Sequence, residues 1–472
     1  MRRRTIAVQV FAAGTLLLAA CSSSSPSRVT AGDAAADAGA PFSLDSCTDA
    51  LAAIYADPGA LPADLGAIIK CSKDKDLTAA DLKAGAPNHV GKAFTSGAHV
   101  YHVLYRTTRG DEAKTAGTSS AMVYLPDAPR ATSLPVIVVS HGSVGQAPNC
   151  TPSKTPVLYQ VAPLVGAGFA VIAPDLAGYA NYGAANNPPN AYGNALDVGR
   201  STLDGARALR KIMGPTASDK VVLVGHSQGG DSTLAALAIS STYGSGGTVV
   251  GVVAYAPLWL YQAWGALSIL ASQYPFATSA SVNAVAIYYM YTHSELLDGA
   301  GHGGDVFKPE KRAAIKNFVD TVCYDDAAAP LAALGTDITD VYDPAFSASI
   351  AAPIGLGNPC KDDLCNKWKA RFLADRPHLT GDAAQVPILL PYGGMDTTIP
   401  ANRMTCVLDR LDLDKANYKL CFEPTAGHTG VVNVRSDYAS DWIAAKTLGA
   451  PEPPACTGVY PRPMCASIPP ND

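Results

Sequence analysis

The pentapeptide Gly225-His226-Ser227-Gln228-Gly229 carries the clearest chemistry in this chain. It follows the apolar run Val221 to Val224 and precedes Asp231-Ser-Thr-Leu-Ala-Ala-Leu-Ala, which reads as a helix. A serine on such a strand–turn–helix is exposed at the positive end of the helix. The turn is so tight that a Cβ two residues to either side would strike neighbouring backbone, hence Gly225 and Gly229. Serine is a weak nucleophile and needs a base that a third group orients. His428, in Thr425-Ala-Gly-His-Thr-Gly, follows the apolar run at Tyr418 and has small neighbours that let its loop fold over Ser227. Asp396, in Pro391-Tyr-Gly-Gly-Met-Asp-Thr-Thr-Ile-Pro, sits on a turn directly after another apolar run, where an orienting acid belongs. Asp409, Asp412 and Asp414 fall on what reads as a helix or its exit and are expected to be solvated. The chemistry of serine, acid and histidine in that order is acyl transfer.

Acyl transfer also needs two backbone N–H donors aimed at the developing oxyanion. Gln228, directly after the nucleophile, supplies one. The other is expected from Ser140-His-Gly-Ser-Val-Gly, which follows the apolar run Val136 to Val139; Ser143 is the first choice and Val144 the alternative. His226 is expected to pack rather than react. Asp175 is expected to shape a turn at a strand end. Gly299-Ala-Gly-His-Gly-Gly has the spacing of a nucleotide loop, but no strand precedes it, so it reads as a plain loop.

The elements that must position these residues are short apolar runs alternating with helices. The runs lie at Val136, Ala170, Val221, Val249, Ile388 and Tyr418, and are apolar enough to be covered on both faces. Ser201-Thr-Leu-Asp-Gly-Ala-Arg-Ala-Leu between two of them opens like a capping box and repeats apolar residues at helical spacing. This predicts an α/β fold with a doubly wound, mostly parallel sheet. His99-Val-Tyr-His-Val-Leu and Ser119-Ser-Ala-Met-Val-Tyr read as an antiparallel pair at the sheet edge. Residues 258–385 are far longer than a crossover needs and predict a helical cap inserted between core segments 96–257 and 386–450. Trp259, Tyr261 and Trp264 at its start are expected substrate contacts. Residues 42–95 read as a helical extension and 451–472 as a tail with a disulfide.

Composition narrows the function classes. The chain has 472 residues, 48% hydrophobic and only 16% charged, with a formal net charge of −5 and no basic run, which disfavours a nucleic-acid partner. Residues 1–21 read as an export signal: Arg2-Arg-Arg, a short apolar stretch from Ile6 to Leu18, then Leu18-Ala-Ala-Cys21. Small residues before Cys21 match a lipobox, so Cys21 is the expected lipidation site and the chain is expected to be tethered to a bacterial envelope. Ser22 behind it leans toward the outer membrane. Residues 22–41 read as a flexible tether. Of eleven cysteines, removing Cys21 leaves ten, an even number suited to disulfides in an oxidising compartment. The expected pairs are Cys47–Cys71, Cys150–Cys323, Cys360–Cys365, Cys406–Cys421 and Cys456–Cys465. The cysteine and histidine spacings do not match a metal site.

At Leu134-Pro-Val-Ile-Val-Val-Ser-His-Gly-Ser-Val-Gly, Gly168-Phe-Ala-Val-Ile-Ala-Pro-Asp-Leu-Ala-Gly-Tyr, Thr202-Leu-Asp-Gly-Ala-Arg-Ala-Leu, Gly225-His-Ser-Gln-Gly-Gly and Gly427-His-Thr-Gly, the chain resembles the secretory lipase family, the lipase-A-like branch of the α/β hydrolases. The elbow reads His-Ser-Gln where some members carry Tyr-Ser-Gly. The resemblance implies an α/β-hydrolase fold, hydrolysis of carboxylic esters under a helical cap, and no cofactor. A peptidase of the same fold, gripping a free amine with Asp231 or Glu295, is the enzymatic alternative. A catalytically dead, surface-anchored binding lipoprotein is the alternative outside enzymes.

Overall fold

The computed structural model describes residues 42–179, 187–260, 262–269 and 275–466. The expected signal peptide, Cys21, the tether and Tyr261 lie outside them.

The core is one sheet of nine strands: β1 Ile68–Lys73, β2 Ala98–Thr108, β3 Ala116–Pro126, β4 Leu134–Ser140, β5 Val171–Pro174, β6 Ala217–His226, β7 Thr248–Tyr255, β8 Ile388–Gly393 and β9 Tyr418–Glu423. Their order is β1-β2-β3-β5-β4-β6-β7-β8-β9. The ladders from β1 to β5 are antiparallel, and those from β5 through β4 to β9 are parallel. Each residue of β4 and β8 is buried, as a strand covered on both faces by helices must be.

Two sequence expectations change here. The antiparallel pair β2–β3 is present, but β1, from the stretch read as helical, covers its outer side. Ile68-Ile-Lys-Cys-Ser-Lys is short and half polar, and its pairing with β2 gives it strand form. The helix read as starting near Ser201 spans Ala195–Met213 instead. Asn194 caps it by accepting from the Asp197 N–H at 2.9 Å, and Asp197 pairs with Arg109 in a fully buried ion pair at 2.8 Å. Ser201 is an interior helix residue whose carbonyl accepts from Tyr105 Oη at 2.9 Å.

Between β7 and β8 the chain leaves the sheet. The longer helices there are Ala280–Leu297, Arg312–Thr321, Pro344–Gly355 and Asp363–Ala374. This is the helical insertion that the length of the segment demanded.

Five disulfides are present. Cys47–Cys71, Cys150–Cys323 and Cys360–Cys365 pair as expected. The other two do not: Cys406 bonds Cys465, and Cys421 bonds Cys456. The tail runs back across β9, with Gly458 bridging Phe422, so each tail cysteine meets a core cysteine rather than its neighbour in sequence. Arg462 in the tail pairs with Asp409 and Asp412, and Asp414 pairs with Arg410 at 2.8 Å. These three acids are therefore ion-paired rather than simply solvated. Disulfides at this density fit an oxidising, extracytoplasmic compartment. No helix among the described residues is long and apolar enough to cross a membrane.

Candidate active site

Ser227 stands between β6 and the helix Gln228–Tyr243, at φ 57° and ψ −120°. A non-glycine residue at positive φ is strained, and the surroundings must hold it. The Ser227 N–H donates to the Tyr255 carbonyl at 3.0 Å, and the Leu258 N–H donates to the Ser227 carbonyl at 2.9 Å, so the end of β7 and the chain just beyond it clamp the turn on both sides. A Cβ on Gly225 would lie 2.1 Å from the Gly229 carbonyl oxygen, and one on Gly229 would lie 2.0 Å from the Ser140 carbonyl oxygen. The elbow therefore admits only glycine at both places.

Asp396 follows β8, and its side chain is withdrawn from solvent. Its Oδ1 accepts from the Thr398 and Ile399 N–H groups at 2.9 and 2.8 Å. Its Oδ2 faces His428 Nδ1 at 2.7 Å. This arrangement fixes the carboxylate and leaves the other imidazole nitrogen of His428 for proton transfer. His428 and Ser227 line one open cleft of about 410 Å³, together with His141, Gly142, Ser143, Val144, Tyr159, His226, Tyr324 and Asp325.

His226 is more than packing. Its Nε2 lies 3.1 Å from the backbone carbonyl of His428, so that nitrogen carries the proton and donates. Its Nδ1 then accepts from Tyr159 Oη at 2.8 Å, and Gln160 Nε2 donates to the same Tyr159 oxygen at 3.1 Å. Burial, and next the nearby His428, push the His226 pKa well below its ordinary value, which keeps the ring neutral and this tautomer in place. The two histidine rings stand 4.4 Å apart. His226 thus props the loop that carries His428.

The loop after β4 runs beside the elbow: a Cβ on Gly142 would lie 3.6 Å from Ser227 Cβ. Ser143 Oγ bonds Tyr192 Oη at 2.6 Å. The helical insertion holds the same loop through Cys150–Cys323 and through the Tyr324 N–H, which donates to the Val144 carbonyl at 2.9 Å. Gln228 is the first residue of its helix, where backbone N–H groups have no intrahelical partner. Ser143 and Val144 both line the cleft.

A second, narrower cleft of about 30 Å³ shares Ser143, Ser227, Ser281, Tyr324 and Thr398 with the first and adds Leu258, Trp264, Val285, Ile399 and Arg403. Trp264 is therefore brought to Ser227. Trp259 is buried in the main core and lines neither cleft, because the chain leaving β7 turns it inward. Neither proposed amine-gripping acid faces the site. Asp231 is buried, with its carboxyl pushed well above the usual range by burial and by Asp375. Glu295 accepts from the Gly301 and Gly303 N–H groups, which makes the glycine-rich stretch an ordinary loop of the helical insertion. Asp175 does order a strand end: its buried carboxylate accepts from Ser120 Oγ at 2.5 Å and the Ser153 N–H at 2.7 Å. Tyr159, Tyr324, Thr398 and Arg403 had no sequence signal, since each comes from a different loop or helix and the fold alone gathers them.

The comparisons with known proteins agree with this architecture. Candida antarctica lipase A is similar in structure, with a TM-score of 0.61 and 15% identity, over 88% of this chain and 90% of that one. The rice cell wall degrading esterase LipA from Xanthomonas oryzae gives 0.58 and 18%, over 82% and 96%. At such identities the likeness shows the fold alone. No curated protein sequence matches the chain. A family profile described as "Alpha/beta hydrolase family" matches residues 137–433, more than half of the chain and the whole span from β4 to beyond His428. The chain belongs to the alpha/beta hydrolase family.

Proposed function

We propose that this protein is a serine hydrolase that cleaves carboxylic esters, with Ser227 as nucleophile, His428 as general base and acid, and Asp396 as its orienting partner. The observation that carries the reading is the 2.7 Å pair between Asp396 and His428 on the wall of the cleft that also holds the strained Ser227. An esterase and a lipase among the structural neighbours support the ester class.

Ser227 Oγ attacks the ester carbonyl while His428 takes its proton. The Gln228 N–H and the Ser143 or Val144 N–H hold the oxyanion. Each such donor contributes about 3 kcal/mol of transition-state stabilisation. The carbon–alkoxide bond then breaks, and His428 returns the proton to the leaving alcohol. Water attacks the acyl-enzyme with His428 again as base, and the acid leaves. Trp264 lines the acyl arm. No metal or cofactor enters any step.

In the same reading, residues 258–385 act as the cap over cores 96–257 and 386–450, and Cys21 anchors the chain by lipid to the bacterial envelope through the tether. Hydrolysis of a p-nitrophenyl ester series from acetate to palmitate tests the function. Turnover that disappears in His428→Ala supports it. Inactivity across the series alongside turnover of aminoacyl amides would replace it with the peptidase.

A further inference from the structure

The two clefts that meet at Ser227 differ in their charge. His428 must protonate the leaving alcohol, and it lines only the wider cleft, so that cleft takes the alcohol arm. The acyl arm falls to the narrower cleft, whose walls are mainly Leu258, Trp264, Val285 and Ile399. It is far the smaller of the two, about 30 Å³ against about 410 Å³, which limits the acyl group to a short one.

An apolar pocket of this kind needs no hydrogen-bond donors, yet this one holds a buried indole N–H without an acceptor and a half-buried guanidinium without a carboxylate. Arg403 lines it, and among the described residues no carboxylate pairs with its guanidinium; its recorded side-chain contact is the face of Trp264, with Cζ 5.9 Å from the ring centroid. The indole Nε1 of Trp264 is buried and has no hydrogen-bond partner. A buried donor left unsatisfied costs on the order of 1–3 kcal/mol, so the orphan indole N–H beside an Arg403 that no carboxylate pairs points to a missing acceptor. The carboxylate among the lining residues is Asp325, and it stands on the alcohol arm. The clefts are thus polarised: cationic at the acyl end and anionic at the alcohol end.

We propose that the acyl group of the substrate is short and ends in a carboxylate, bound by Arg403 and the Trp264 N–H. The substrate class is a hemiester of a short dicarboxylic acid. Hydrolysis breaks the acyl carbon–alkoxy oxygen bond, adds water across it, and releases the alcohol and the free dicarboxylate. Asp325 repels the same carboxylate from the alcohol arm and so favours one orientation. This inference rests on the ester-hydrolase reading above.

The test compares monomethyl glutarate with its neutral amide isostere, methyl 4-carbamoylbutanoate, by pH-stat titration at pH 7.5. Charge-assisted pairing with a guanidinium predicts a kcat/KM ratio of roughly tenfold or more in favour of the acid, shrinking as salt rises. Arg403→Met brings the ratio close to one and Arg403→Glu inverts it, while Trp264→Phe lowers it about threefold by removing one neutral donor. A wild-type ratio near one, or a preference that survives Arg403→Met, overturns the proposal without touching the ester reading. Because the wild-type comparison needs no variant, misfolding of a mutant leaves it decisive. Inactivity on both esters and on the p-nitrophenyl series is a different result, which removes the ester reading and this inference with it.

Discussion

Apart from the exposed pair His302–Asp305, two aspartate–histidine pairs of the same length stand among the described residues, each with its aspartate sealed from solvent. Asp396 meets His428 at 2.7 Å and Asp375 meets His293 at 2.7 Å. In the second pair both ring nitrogens face acceptors, since His293 Nδ1 lies 2.7 Å from the Tyr289 carbonyl. Asp375 also accepts from Tyr289 Oη, Asn194 Nδ2 and the Ala195 N–H, tying the helical insertion to the start of the helix Ala195–Met213. Both side chains are sealed from solvent. His428, by contrast, keeps one nitrogen without a partner among the described residues and lines the cleft of Ser227. The pair itself is common to both regions. A free nitrogen opposite a nucleophile is what distinguishes a proton-transfer site from a structural clasp.

Breaking each pair sharpens the comparison. Asp396→Asn is expected to lower kcat by roughly 10⁴-fold, because the amide stabilises the wrong imidazole tautomer, while the melting temperature changes little. Asp375→Asn is expected to do the reverse: a loss of about 3 kcal/mol in denaturant unfolding, as buried partners lose their acceptor, with much of kcat retained in the folded fraction. Equal effects of the two substitutions on kcat would erase the distinction. Tyr159→Phe removes the donor that holds the His226 tautomer and is expected to lower kcat by roughly tenfold through misplacement of His428, with KM less affected. An unchanged kcat would show that the His428 loop needs no such prop.

A further effect is on the pH dependence of stability. Burial, opposed by hydrogen bonds from Ser120 and Ser153, raises the Asp175 carboxyl to about 7. A raised carboxyl favours the protonated folded form, so its contribution is present below about 4 and is lost as pH rises toward about 7. Stability of the wild type is therefore expected to fall relative to Asp175→Asn across that window, by up to about 1.4 kcal/mol per pH unit. Parallel curves in urea titrations at several pH values would contradict it.

How much of this was legible in the sequence follows from the range of the forces involved. The elbow was, because a turn that tight tolerates only glycine at 225 and 229 and sits between a strand run and a helix run. The parallel core was, because strands buried on both faces leave continuous apolar runs. Asp396 and His428 were marked by glycine-rich turns after such runs. The tail disulfides were not, since pairing of Cys406, Cys421, Cys456 and Cys465 depends on the path of a chain with no periodic signal. Strand β1 escaped because its form comes from the partner β2. The helix start at Asn194 escaped because its cap is coupled to a buried ion pair from a distant strand. Arg403 and Tyr159 are ordinary residues until the fold sets them beside Ser227.

The central claim is that Ser227 is the activated nucleophile, and labelling with a fluorophosphonate followed by peptide mass spectrometry tests it most directly. The account predicts a single adduct on the peptide carrying Ser227, absent in Ser227→Ala and strongly slowed in His428→Ala. No adduct on the folded protein, or an adduct that persists in Ser227→Ala, would contradict it.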